Sequence, residues 1–309
     1  MRRHRQSKWP SYGLLAGCAV WAGCAAATAG AEHTVDGAGL RIGVSASITG
    51  EMNVNDARVA LRAWAEEVAR QSGLRFEPEL CTYEELVQRI RNHQVDAFSL
   101  NVVEFARVAV YAGRELVVDQ SQLPDGEDYV LLVHQSSGIQ SLADLHGRSL
   151  LLYRNTRTCL DRVWLDTLLA SAHLGAADSF LGRLESSPKA SRVVLPVFFR
   201  QVDACLVSRQ AFTTMCELNP QLTRQLRTLA ISPKLLTTFM AFHKDCPPET
   251  RGKFLAAVSD LQRTAAGRQT LTLFGGTHLV QADISALRTS LELLHAYERL
   301  KATASAAGR

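Results

Sequence analysis

From Leu40 to Phe242 short apolar runs alternate with amphipathic helical stripes, and the cycle runs twice. That alternation restricts the chain to the α/β class. In the first cycle Leu40–Val44 reads as a buried strand and Asp56–Gln71 as a helix ended by Gly73. Leu74–Leu80 is a second strand, and Thr82-Tyr83-Glu84-Glu85 is a capping box that starts a second helix. Val95–Leu100 and Glu115–Val118 are further strands, with Glu104–Ala112 helical between them. The cycle restarts at Ser141-Leu142-Ala143-Asp144, a second capping box, followed by a strand at Ser149–Tyr153. Thr158-Cys159-Leu160-Asp161 reads as a third capping box. Phe180–Leu184, Val202–Val207, Leu226–Ile231 and Thr237–Phe242 read as strands, and Ala190–Phe199 as a helix strained by Pro196. Two blocks of similar size predict two lobes: 38–134, then 135–235, with 236–309 supplying a return strand and helices that pack on the first lobe. Tyr129–His134 and Thr237–Phe242 stand where the chain is expected to cross between lobes.

The first 31 residues have a different character. They hold Arg2, Arg3, Arg5 and Lys8, no acid, and an alanine-rich apolar stretch from Gly13 to Ala29. Ala29-Gly30-Ala31 fits a small-x-small cleavage site, so residues 1–31 read as a secretory signal peptide. An uncut anchor is one alternative. Lipid attachment at Cys18 or Cys24 is another, since Leu15-Ala16-Gly17-Cys18 resembles a lipobox. The net charge of +4 comes entirely from this segment, because the rest carries 30 basic and 30 acidic groups. No global basic field therefore points to nucleic acid. No later stretch approaches the ~20 apolar residues of a spanning helix.

Export implies an oxidising compartment. Five cysteines follow the signal: Cys81, Cys159, Cys205, Cys216 and Cys246. The number is odd and no C-x-x-C occurs, so buried thiols with at most one or two disulfides are expected, and no structural zinc site. The nine histidines are scattered, none paired at i,i+4 on a helix. There is no H-E-x-x-H, G-x-S-x-G, P-loop or G-x-G-x-x-G, so no cofactor, no metal and no enzyme activity are predicted. One enzymatic alternative stays open: Cys159 stands at a helix start, which would lower its pKa.

Three stretches then point to one family. Ser141-Leu142-Ala143-Asp144-Leu145-His146-Gly147-Arg148 resembles the signature that opens the second lobe of type II periplasmic binding proteins. Tyr83-Glu84-Glu85-Leu86 through Val95-Asp96-Ala97 resembles a lobe-one stretch of that class, and Val202-Asp203-Ala204-Cys205-Leu206-Val207 its lobe-two strand. In order and spacing the chain is most similar to the phosphate/phosphite/phosphonate-binding receptors of ABC transporters. The resemblance implies a small-molecule ligand held between two lobes, closure by hinge bending, and an ABC permease in the inner membrane as partner. It further implies a periplasmic monomer. Two departures stand out. The family's Ser/Thr-rich, Gly-containing turn at the lobe-two helix start is Tyr153-Arg154-Asn155-Thr156-Arg157-Thr158 here, and its later Ser-His element falls at Ser187-Pro188-Lys189.

Independently of any family, ligands of open α/β sheets lie beyond the carboxyl ends of the strands. Those positions are polar here. They nominate Asn53, Asn55, Ser99, Asn101 and Glu104 in lobe one, and Tyr153, Arg154, Asn155, Thr156, Thr158 and Asp203 in lobe two. Helix N-termini and arginine forks favour an anionic ligand, whereas a carboxylate such as Glu104 favours one carrying an amino group. Each residue also has a purely structural use. Asn53, Asn55 and Thr158 can cap helices, Glu104 can sit at a helix N-terminus, and Asp203 can brace loops. The functional reading is a receptor for a small anionic or zwitterionic, phosphate- or phosphonate-like solute. A ligand-sensing module acting on a membrane signalling partner, and an enzyme on the same fold, are the alternatives.

Overall fold

Leu40, Ile42 and Val44 face one side of a strand whose other side carries Gly43, and all four are buried. A strand covered on both faces belongs in the middle of a parallel sheet. The computed structural model places it there, and describes residues 39–307 apart from 50–51, 124–125, 127, 156–157, 274–275 and 277. Along the chain the first elements are β1 (Leu40–Ser45), α1 (Val54–Ser72), β2 (Phe76–Cys81), α2 (Tyr83–Arg91), β3 (Ala97–Asn101), α3 (Val102–Phe105) and β4 (Ala112–Asp119). Then come β5 (Tyr129–His134), β6 (Ser149–Tyr153), α4 (Asp161–Ser171), α5 (Ala177–Phe180), β7 (Arg183–Ser187), α6 (Ala190–Phe198), β8 (Ala204–Ser208), α7 (Arg209–Leu218), α8 (Gln221–Gln225) and β9 (Leu226–Ile231). The return comprises β10 (Thr238–His243), α9 (Pro248–Asp260), α10 (Ala265–Leu273), β11 (Leu279–Asp283) and α11 (Arg288–Ala307). The first sheet has the order β11-β4-β10-β3-β1-β2 and the second β7-β6-β8-β5-β9.

Local chemistry explains the element ends. Asn53 accepts the N–H groups of Asn55 and Asp56 at the start of α1, and Gly73 closes that helix at φ 70°, a left-handed position natural to glycine. The predicted box at Thr82 and Glu85 forms, each side chain bonding the other's backbone. The box predicted at Thr158 and Asp161 does not: α4 begins with Leu160 as cap, and Thr158 bonds Asn155 instead. At Ser141 only half a box forms, with Asp144 accepting the Ser141 N–H at 2.8 Å.

On the α1 face of the first sheet, Phe254 of α9 receives Trp64, Phe76 and Phe242 edge-on, with centroids 6.0, 5.4 and 5.7 Å away. On the other face Phe98, Leu100, Leu86, Ile90 and Phe105 begin a cluster that continues without a break into Tyr129, Trp164, Leu165 and Leu169 of the second lobe. Leu287 and Leu294 belong to the same cluster. The helix α11 thus packs on α4 of lobe two as well as α3 of lobe one, rather than on lobe one alone.

Three expectations are corrected. Tyr129–His134 is an apolar strand, but it lies between β8 and β9 of the second sheet rather than in the first lobe, so the second sheet begins before residue 135. The helix expected over Glu104–Ala112 shrinks to α3 and a 3-10 turn at Ala109–Tyr111, because Ala112 already pairs with β10. The strand expected at Phe180–Leu184 starts at Arg183. The proposed signal peptide, with Cys18 and Cys24, lies outside the described residues. Among the described residues no helix is long and apolar enough to cross a membrane.

Glu67 of α1 is buried, yet it holds α1 to the α10 region. It accepts from Arg70 at 2.6 Å, Gln71 at 2.8 Å and the Thr264 hydroxyl at 2.9 Å. Those donors, Arg70 foremost, pull its pKa down from 4.5 to about 2. A carboxylate depressed on folding stabilises fully above its unfolded pKa and loses that contribution as the pH falls through the folded value. Glu67→Gln is therefore expected to lower stability at pH 7 by ~2 kcal/mol, measured by urea unfolding, with the difference shrinking as the pH drops toward 2. An equal penalty at pH 7 and pH 2.5 would show that packing, not charge, is responsible.

Candidate functional site

Parallel strands β1 and β3 end together, and the polar groups that follow them close into a ring. The Ser45 hydroxyl donates to Glu104 at 3.0 Å and contacts Ser47 Oγ at 3.0 Å. Asn101 Nδ2 donates to Ser47 Oγ at 3.1 Å, and Asn101 and Glu104 form a reciprocal capping box on α3. Tyr83 braces the ring by donating to the Glu104 carbonyl at 3.2 Å. Ser45 is fully buried, so Glu104 is held by a donor that cannot turn to water.

Lobe two answers from the end of β6. Asn155 Nδ2 donates to the Tyr153 hydroxyl at 2.7 Å. The Asn155 N–H donates to Thr158 Oγ1 at 2.6 Å, while the Thr158 N–H returns to Asn155 Oδ1 at 3.0 Å. Arg154 pairs with Asp161 at 3.3 Å, with Arg154 half-exposed and Asp161 buried. Burial raises the Asp161 pKa against the pull of Arg154.

The two clusters meet at Cys159. Its Sγ lies 4.0 Å from the Thr237 carbonyl, which also accepts the Val102 N–H at 2.8 Å. Burial pushes the Cys159 thiol up to about 12, helped by the negative charges of Asp161 from lobe two and Glu104 from lobe one. A carboxylate from each lobe thus acts on one thiol. This reverses the expectation that a helix start would lower the Cys159 pKa, because desolvation and two nearby acids outweigh the dipole. All five cysteines are free thiols.

Not every nominated residue joins this meeting point. Asn53 and Asn55 are exposed at the start of α1, where Asn53 also bonds Asp56. Ser99 lines a separate lobe-one cavity of about 250 Å³ with Trp64, Phe239, Met240, Asp119 and Gln122. Thr156 lies outside the described residues, as does Arg157. Asp203 is set apart. It accepts the Ser149 N–H at 2.9 Å and hydroxyl at 2.6 Å and pairs with Arg148, at the amino ends of β6 and β8, whereas Tyr153 ends β6 at the opposite edge. These bonds tie the starts of β6 and β8 together. Ser45, Ser47 and Asp161 were the residues not nominated. The serine pair had a signal, since Ser-x-Ser after a buried strand is a turn in which Ser45 Oγ accepts the Ser47 N–H.

On the other flank of the crossover a groove of about 450 Å³ runs between Ser121–Gln122 and α7. There Asp128 is pinned by Arg209 at 2.6 Å and Lys234 at 3.1 Å, which anchors the chain just before β5 and just after β9 to the start of α7.

Residues 50–287 match the family described as ABC transporter, phosphonate, periplasmic substrate-binding protein. The chain belongs to that family. No curated protein sequence matches it. Among solved structures, it is similar to a binding protein component of an ABC phosphonate transporter from Pseudomonas aeruginosa, with 16% identity and a TM-score of 0.56 over 86% of this chain and 88% of that one. A Prochlorococcus marinus protein solved with methylphosphonate gives 14% identity and a TM-score of 0.56, over 82% and 96% of the two chains. A Xanthomonas citri protein solved with ATP gives 16% and 0.61, over 85% and 98%. These structures share the type II periplasmic binding fold, and the chain is a solute-binding receptor of that family.

The raised thiol yields a direct test. At pH 8, iodoacetamide should leave Cys159 unmodified in the native protein and modify it after unfolding, read by peptide mass spectrometry. Fast native labelling would show an accessible, activated thiolate and restore the enzymatic alternative.

Proposed function

We propose that the chain captures a small zwitterionic phosphonate, an oxyanion bearing an amino group, between its lobes and presents it to an inner-membrane ABC permease. On this reading it works in the periplasm as a monomer, after removal of residues 1–31, and performs no chemistry on its ligand. The observation that carries the reading is the convergence on Cys159 of Glu104 from lobe one and Asp161 from lobe two, beside the half-exposed Arg154 guanidinium. A purely anionic ligand would meet two carboxylates there. A ligand with an ammonium group can be shared, its cation toward Glu104 and its oxyanion toward Arg154. Asn101 holds Glu104 in place, and Asp161 pairs with the Arg154 guanidinium.

Calorimetric titration of the exported chain with 2-aminoethylphosphonate, methylphosphonate, phosphate and sulfate tests this. The aminophosphonate is expected to bind at least tenfold tighter than the others. Arg154→Ala should weaken every phosphonate at least tenfold, about 1.4 kcal/mol. Glu104→Gln should weaken only the amino-bearing one. Equal affinity for methyl- and aminophosphonate would remove the amino group from the proposal, and no binding of any phosphorus oxyanion would overturn it.

A further inference from the structure

The strand β10 has two chemically distinct ends. At one, Thr238 pairs with Asn101 beside the cleft. Toward the other, Phe242 pairs with Ala97, and His243 and Asp245 follow, far from the carboxyl edge of β3. His93, 150 positions earlier in the chain, comes to the same place at the end of α2. We propose that His93, His243 and Asp245 form a binding site for a divalent transition metal such as Zn²⁺, at the back of lobe one.

The geometry is that of a partly assembled first coordination sphere. Asp245 Oδ2 lies 3.2 Å from His93 Nδ1 and 3.5 Å from His243 Nδ1. The two imidazole centroids are 4.6 Å apart at 63°. One ligand atom from each residue lies within 4.8 Å of the others. A tetrahedral zinc ion with bonds of about 2.1 Å places its ligand atoms about 3.4 Å apart, so only a small inward movement is needed. Two imidazoles and one carboxylate select zinc, nickel or copper over magnesium or calcium. Three protein ligands leave the fourth position to water, and the exposure of His93 and Asp245 gives the ion a way in.

The surroundings hold these residues in place. His243 is buried, and its backbone N–H donates to the Asp96 carbonyl at 2.8 Å. The next residue, Lys244, donates from its backbone to the Tyr111 carbonyl, also at 2.8 Å. The Tyr111 ring stacks on the His243 ring at 6.3 Å. His243 Nε2 is buried without a hydrogen-bond partner among the described residues, so an ion on Nδ1 would leave the Nε2 proton unpaired. His93 adopts φ 54°, where glycine or asparagine is the cheaper residue after a helix, so its position keeps an imidazole at a backbone cost. One contact competes: the Asp245 N–H lies 3.3 Å from His243 Nδ1, and an ion taking that lone pair displaces it.

Occupied, the site would join the end of α2 to the end of β10 and stiffen lobe one without touching the cleft. The test is calorimetric titration of ZnCl₂ into the untagged, EDTA-treated and dialysed protein, with MgCl₂ and CaCl₂ as controls, alongside thermal unfolding. One Zn²⁺ per chain and a raised Tm are expected. His93→Asn, which suits the left-handed turn, and Asp245→Asn should each weaken zinc at least tenfold while leaving the metal-free Tm and solute affinity unchanged. Absence of zinc binding overturns the proposal. So does zinc binding that survives both substitutions, which would place the ion elsewhere. Solute titration in EDTA is independent of these outcomes, so failure of the metal site and failure of the receptor reading are distinguishable.

Discussion

The architecture depends on β10 entering between β3 and β4 and running antiparallel to both. Without it those two parallel neighbours would have no partner between them, and the first sheet would split into two pieces. The strand is laid down only after the chain has left lobe one, built all of the second sheet and come back. Pairings so distant in sequence are slow to form, because loop closure must precede any gain from contact. What secures the return is apolar. Phe242 meets Phe254 on one face, and Phe239 meets Phe105 at 5.0 Å on the other. The strand is therefore gripped from both sides of the sheet, and its first residue, Thr238, is fixed beside the cleft.

That grip also governs how the lobes meet. Thr237, just ahead of β10, offers its carbonyl to Val102 and its N–H to Gln122, while Cys159 of lobe two approaches the same carbonyl. The cluster containing Tyr129 and Trp164 is shared between lobes. Asp128, just before β5, is tied to Arg209 of α7 and to Lys234 on the stretch between β9 and β10. The facing polar groups are already satisfied within their own lobes: Glu104 by Ser45 and Asn101, and Thr158 by Asn155. A ligand need not order them. It needs only to replace water at the charged groups left toward the cleft, which is how a preorganised site gains affinity.

Much of this was legible in the sequence, and the exceptions have physical causes. The α/β class, the family resemblance and the Thr82 capping box follow from local periodicity and local hydrogen bonding, which a short window contains. Tyr129–His134 reads locally as an apolar strand, but the sheet it joins does not, because its neighbours β8 and β9 are about 75 and 97 residues away in the chain. Thr158 was read as a cap because S/T-x-x-D/E is the right pattern, but the preceding turn captured its hydroxyl first. Asp203 was nominated for standing beside a strand, and only the parallel register shows that it stands at the wrong end. The His93–His243 pair could not be read at all. Neither residue has a ligand neighbour at helical spacing, and only the topology brings the two together.

Cys159 shows how the electrostatics of the cleft can mislead a local argument. A helix N-terminus carries roughly half a positive charge and by itself favours a thiolate. That partial charge lies at the end of α4, but Asp161, two residues on, contributes a full negative charge from within the same first turn. Glu104 adds another from across the cleft, and burial denies the thiolate the water that would otherwise solvate it. Burial, with the two carboxylates, outweighs the dipole and the backbone N–H groups that favour the thiolate, and the thiol stays protonated. The same balance applies to any anion entering this part of the cleft. On the proposed reading, an oxyanion gains there only if it brings its own positive charge or reaches past the carboxylates to Arg154, and the selectivity of the receptor would follow from where its two acids lie.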